Sequence, residues 1–174
     1  MPDIDIFASR INCKLPTYVS WYPDPGCYAV DAFSLSWVDH FIYSFPPFSL
    51  IARTLRKIMT EKVDAILIAP LWPTQCWYPI ALNLLTCHPI VFPATARNVY
   101  LPHKPHMVHP LSPGLHFMAL KLSGDSSKCR IYRLLLKSLS LTPDGPVPDP
   151  NMRVLLPNGK GIVSNGMLIP YTLI

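Results

Sequence analysis

The chain has 174 residues, of which 50% are hydrophobic and 14% charged, with a formal net charge of +5. That length gives room for one domain of ordinary size with some excess, and that apolar content excludes a chain disordered throughout. The 21 prolines exclude long unbroken helices and central strands wherever they cluster, because proline fixes φ and carries no backbone donor.

Cys13, Cys27, Cys76, Cys87 and Cys129 are scattered and form no CxxC pair, so their spacing supports no zinc site, and free thiols in a reducing compartment are expected. The start, MPDIDIFASR, carries acids where a signal peptide carries bases. The longest apolar run, residues 65–72, is interrupted by Pro70 and is too short to span a bilayer. An intracellular protein, cytoplasmic or nuclear and without membrane contact, is the expectation.

In chain order, residues 4–8 (IDIFA) form a short β-prone run. Residues 12–37 are rich in turn signals, with Pro16, Pro23, Pro25 and Gly26 breaking any long element. Residues 41–44 (FIYS) read as a compact strand that stops before Pro46-Pro47. Over residues 49–62, Leu50, Ile51, Leu55 and Ile58 recur at helical spacing, with Ser49 as the expected N-cap. Residues 63–69 (VDAILIA) are apolar at positions of both parities, which predicts a strand covered on both faces. Residues 77–86 predict a second helix and residues 90–92 a third strand. The β–α–β–α–β order predicts an α/β protein with a small, mostly parallel open sheet.

Beyond residue 93 the pattern weakens. Residues 93–116 are rich in Pro and His without periodicity, residues 131–141 suggest a short helix, and residues 143–150 (PDGPVPDP) a linker. Asn158-Gly159 is a hairpin signal. The expected division is an α/β domain over 1–93 and a Pro/His-rich spacer with a loosely structured tail over 94–174.

Phe45-Pro46-Pro47-Phe48 follows a strand directly, and ligands of open α/β sheets bind just outside the carboxyl ends of strands. A rigid Pro-Pro turn followed by an aromatic ring can present carbonyls to a planar ligand and stack on it. The plainer alternative is a hydrophobic plug between strand and helix. Asp3 and Asp5 alternate on the first strand, but no later acidic cluster completes a two-metal site, and no metal is expected. His103, His106 and His109 recur every third residue without a defined second shell for a metal. Trp21, Trp37, Trp72 and Trp77 suit core or rim packing. Arg53, Arg56 and Lys57 belong to the densest basic stretch; they suit a solvated helix face or, alternatively, contact with DNA or RNA.

The ordered string PDIDIFASRIN, PTYVSW, VDAFSLSW, a strand ending in FPPF, and AILIAPLWPTQCWYPI resembles the phage-type DNA N6-adenine methyltransferase family. It is still more similar to the segment after ribonuclease H in polyproteins of DIRS-type, tyrosine-recombinase retrotransposons. The match spans roughly residues 2–92, and HPLSPGLHFMALKLSG at 109–124 resembles the spacer leading toward the recombinase. The resemblance implies a truncated Rossmann-like methyltransferase core. Asp5 would help to hold S-adenosylmethionine, Asp31 would lie near the donor's adenine or the target pocket, and Phe45, Pro46, Pro47 and Phe48 would stand in the catalytic tetrad. Two departures matter. Phe45 replaces the family's Asn, Asp or Ser, and Ala8-Ser9-Arg10 replaces a glycine-rich turn. The resemblance therefore implies a non-catalytic structural or tethering segment without a cofactor, its partners being the neighbouring reverse transcriptase/ribonuclease H and recombinase modules. The alternatives are a residual adenine methyltransferase using S-adenosylmethionine, or a nucleic-acid-binding accessory module of the reverse transcriptase–ribonuclease H unit.

Overall fold

A computed structural model of the protein describes residues 1–95, 100–101, 104–108, 114–140, 155–156, 159–164 and 167–174. Short apolar runs broken by proline give short strands. β1 is Ile4–Asp5, and the turn-rich stretch after it holds only β2 (Val19–Ser20) and β3 (Ala29–Val30), a small parallel pair. β4 is Phe41–Ser44, ending where the sequence places Pro46-Pro47.

The predicted helix starts later than Ser49. A 3-10 turn spans Phe48–Leu50, in which the Leu50 N–H donates to the Pro47 carbonyl (2.8 Å), and α1 proper is Ile51–Glu61 with no side-chain cap. Pro47 begins the winding, so Ser49 is already inside the turn and not at its cap. Ile51, Thr54, Leu55 and Ile58 face inward, and Lys62 ends the helix in the left-handed region at φ 56°. β5 (Asp64–Pro70), α2 (Tyr78–Asn83) and β6 (Ile90–Pro93) follow as predicted. β7 (Tyr100–Leu101) and β8 (Lys104–Val108) pair with each other.

The principal sheet has eight strands among the described residues, in the order β1-β4-β5-β9-β6-β12-β11-β10. Here β9 is His116–Ser123, β10 Leu155–Leu156, β11 Gly159–Ser164 and β12 Met167–Leu173. β1, β4 and β5 are parallel neighbours, as are β6 and β12. β9 runs antiparallel to both β5 and β6, and β12, β11 and β10 form an antiparallel meander. The register carries one buried row across the sheet, from Ile4 to Ile42, Ala65 and Leu122.

Residue 93 is therefore not an edge of this sheet: residues 116–123 fill the gap between β5 and β6. Phe117, Met118, Leu120 and Leu122 of that strand are buried. The later helix, α3, is Ser126–Ser140 and begins before residue 131, with the Asp125 carboxylate accepting the Ser127 N–H at 2.8 Å. β10 and β11 pair on either side of the Asn-Gly signal, Leu156 opposite Gly159. Asn158, the 143–150 linker, His103 and His109 lie outside the described residues.

Helix residues Leu55, Ile58, Ala81, Leu82, Tyr132 and Leu136 share one buried cluster with sheet residues Ile4, Ile42, Ala65, Leu67, Leu120 and Leu122. By strand alternation those sheet residues occupy one face. On the other face Asp64, Ile66 and Ile68 of β5 are only half-buried, unlike the two-sided cover expected from VDAILIA. A smaller cluster caps one end of that face, built on Ala94, Leu115 and Phe117 with Phe45, Phe48, Ile68, Trp72 and Phe92 against it. Among the described residues no helix is long and apolar enough to cross a membrane.

Candidate functional site

The carboxyl ends of β1 and β4 meet where a parallel sheet offers its crevice. Asp5 ends β1 with its side chain buried. One carboxylate oxygen accepts the Lys14 N–H (3.0 Å) and the other the Phe7 N–H (3.4 Å). These bonds staple the following loop to the strand. Burial pushes the Asp5 carboxyl above its usual range, opposed by the two backbone N–H groups and by the Lys14 charge. Tyr43, opposite Asp5 on β4, is pushed up to about 12 by burial first and by the Asp5 charge second.

The loop after Asp5 is closed by its own side chains. The Ser9 N–H donates to Asn12 Oδ1 at 2.7 Å, and the Arg10 N–H to Asp24 Oδ2 at 2.7 Å. The Arg10 guanidinium also stands 3.6 Å from the other oxygen of the buried Asp24. Backbone donors that a glycine-rich turn would leave free for a ligand are thus already committed.

Asp31 sits in the left-handed region at φ 61°, which aspartate tolerates better than most residues. Its Oδ1 accepts the Phe33 N–H at 3.0 Å. Between these loops lies a cavity of about 200 Å³, walled by Phe7, Ala8, Ser9 and Asn12, by Asp31 and Phe33, and by Pro47 and Leu50. Trp21, 82% exposed, stands on its rim.

Of the residues singled out from sequence, Asp31 and Pro47 thus come together at one cavity. Asp5 does not line it; its carboxylate works beneath, on the loop. Phe45 and Phe48 point elsewhere. The Phe45 ring meets Phe117 edge-on at 5.5 Å, and Phe48 meets Trp72 edge-on at 5.0 Å. Pro46 is buried. Phe45, Pro46 and Phe48 thus pack into the molecule, while Pro47 is exposed at the cavity. Ser44, one residue early, is fully buried and its Oγ has no hydrogen-bond partner.

Two of the three α1 cations also meet aromatic rings. The Arg53 guanidinium lies 3.8 Å from the Phe33 ring centre, and Lys57 pairs with Glu61 and lies 5.2 Å from the Trp37 ring. Glu61 in turn accepts the Trp37 N–H. Arg56 is exposed. Sequence reasoning missed Asp24 and Phe117, whose roles rest on long-range contacts that no local motif signals, and also Asn12, whose bond to the Ser9 N–H is local.

The cavity is small for the donor that the resemblance implies. Small-molecule sites usually offer about 300–1,000 Å³, more than is enclosed here, and the loop's donors are occupied. Among the described residues no group of three His, Cys, Asp or Glu side chains is placed to hold a metal. No family model matches the chain, and neither the curated proteins nor the solved structures yield a match.

Proposed function

We propose that this chain is a non-catalytic structural or tethering segment of a retrotransposon-derived polyprotein, built on a methyltransferase-like core. The observation that carries the non-catalytic part is Phe45. Amine methylation needs an acceptor for the exocyclic N–H at this position, and a desolvated N–H left without one costs about 1–3 kcal/mol. Here the position is a phenyl ring packed against Phe117. The origin rests on the ordered sequence string, and its neighbours in the parent polyprotein, reverse transcriptase/ribonuclease H and recombinase, are the partners it would tether.

Calorimetric titration with S-adenosylmethionine tests this reading, run on the native chain and on Phe45→Asn, with methyl transfer to adenine-containing DNA assayed alongside. Neither heat nor transfer from either protein is the expected result. Micromolar binding with measurable transfer by the native chain would establish the alternative, a residual adenine-N6 methyltransferase.

A further inference from the structure

Away from the β1–β4 end, a second cavity of about 420 Å³ opens beside α3, lined by Asn83, Arg130, Arg133, Leu134, Lys137 and Met167. Three of these six are cations and none is acidic. Arg130, Arg133 and Lys137 fall at i, i+3 and i+7, one stripe of the helix, and span roughly 10 Å along its axis at 1.5 Å per residue. Arg130 and Lys137 are exposed, while Arg133 is half-buried and donates to the Asn83 carbonyl at the end of α2. That bond fixes one guanidinium as the wall of a concavity, with the other two cations beside it.

We propose that this cavity is a binding site for consecutive phosphates of a single-stranded nucleic acid. Guanidinium groups match the fork geometry of phosphate oxygens. The concave shape favours a strand over a lipid surface, because a flat bilayer cannot follow the wall to the half-buried Arg133. Exposed Ile131, Leu134 and Leu135 adjoin the stripe and give the sugar–base side of a strand an apolar surface. The proposal is independent of whether the β1–β4 site is catalytic.

The test is fluorescence anisotropy with the full chain and a labelled single-stranded oligonucleotide of about 20 nucleotides, from about 50 to 200 mM salt. Arg130→Gln/Lys137→Gln is compared with Arg53→Gln/Arg56→Gln, which removes the same net charge from α1. The α3 pair should weaken binding about tenfold and reduce the salt slope by about 1.4, the value for two phosphate contacts on a single strand. The α1 pair should change affinity less than about threefold. Thermal melting checks that both variants fold; Arg133 is left intact because it braces α2. Equal weakening by the two pairs would reduce the effect to overall charge and overturn the site. Co-sedimentation with phosphatidylserine vesicles without oligonucleotide binding would overturn it in favour of a membrane surface.

Discussion

Two helices carry much of the positive charge of this protein, and they use it differently. On α1, Arg53 and Arg56 are exposed, with Arg53 lying over Phe33, while the half-buried Lys57 joins Glu61 beside Trp37. These contacts lock the loop of residues 31–37 against the helix. On α3, Arg130 and Lys137 are exposed around a cavity. Its outer surface also shows Ile131, Leu134 and Leu135, each more than half exposed. Exposed charge is present on both helices, and on α3 it borders a cavity. A count of basic residues says where charge is made; only packing says what lies beside it.

The sharpest way to test that contrast is to truncate one leucine on each helix. Leu55 of α1 is fully buried, and Leu55→Ala should cost about 2–5 kcal/mol in urea denaturation. Leu135→Ala on α3, where the side chain is 57% exposed, should stay within about 0.5 kcal/mol. A similar loss at both positions would mean that the outer face of α3 is covered in solution.

The two helices touch through Gly124, just before α3. A Cβ built there would stand 2.0 Å from the Ile58 carbonyl oxygen and 2.7 Å from the Lys62 Cα. Both obstacles are backbone, so Gly124→Ala must push the end of α1 away from the start of α3. A loss of about 1–3 kcal/mol is expected, the usual cost of overpacking. A melt unchanged from the native chain would show that the two helices are not rigidly joined.

A smaller effect distinguishes the start of α3. Lys128 Nζ lies 2.7 Å from Asp64 Oδ2, and Ser123 Oγ donates to Asp64 Oδ1 at 2.6 Å. Burial pushes the Asp64 carboxyl up, but the hydrogen bonds and the charges of Lys128 and Lys121 outweigh it, and the net shift is down. A depressed carboxyl contributes stability above its unfolded value and loses it as pH falls through the folded one. Lys128→Gln should therefore destabilise the protein at about pH 6 by less than roughly 1 kcal/mol, the scale of an exposed ion pair. That difference should shrink as pH falls below the ordinary carboxylate range and Asp64 protonates. A difference constant across this range would remove the ion pair from the account.

Sequence periodicity located the elements that depend on local pattern. α1, β5, α2 and β6 all occur within a few residues of where their apolar spacing puts them. β9 was not legible, because FMALKL is almost continuously apolar, has neither clear period, and follows a stretch dominated by Pro and His. Its identity as a strand comes from pairing with β5 and β6, which the chain brings together only in three dimensions. The candidate site divides in the same way. The strand-end position of Pro47 followed from the FIYS run before it, while the direction of the Phe45 ring was set by Phe117, a residue from the unreadable strand. The commitment of the Ser9 and Arg10 N–H groups depends on Asn12 and Asp24, of which only Asn12 is near enough to have been suspected.

The position of β9 also sets the order in which the molecule is able to form. During synthesis β1, β4 and β5 emerge first, and the outer edge of β5 has no partner until residue 123 has been made. At roughly 5–20 residues per second the wait is of the order of 3–10 s, during which an apolar strand edge is open to other nascent chains. β6 then has nowhere to dock until the same moment. One late strand joins β5 to β6, and the other edge of β6 waits longer still for β12, so a ribosome pausing between β6 and β9 would prolong the exposure of the β5 edge.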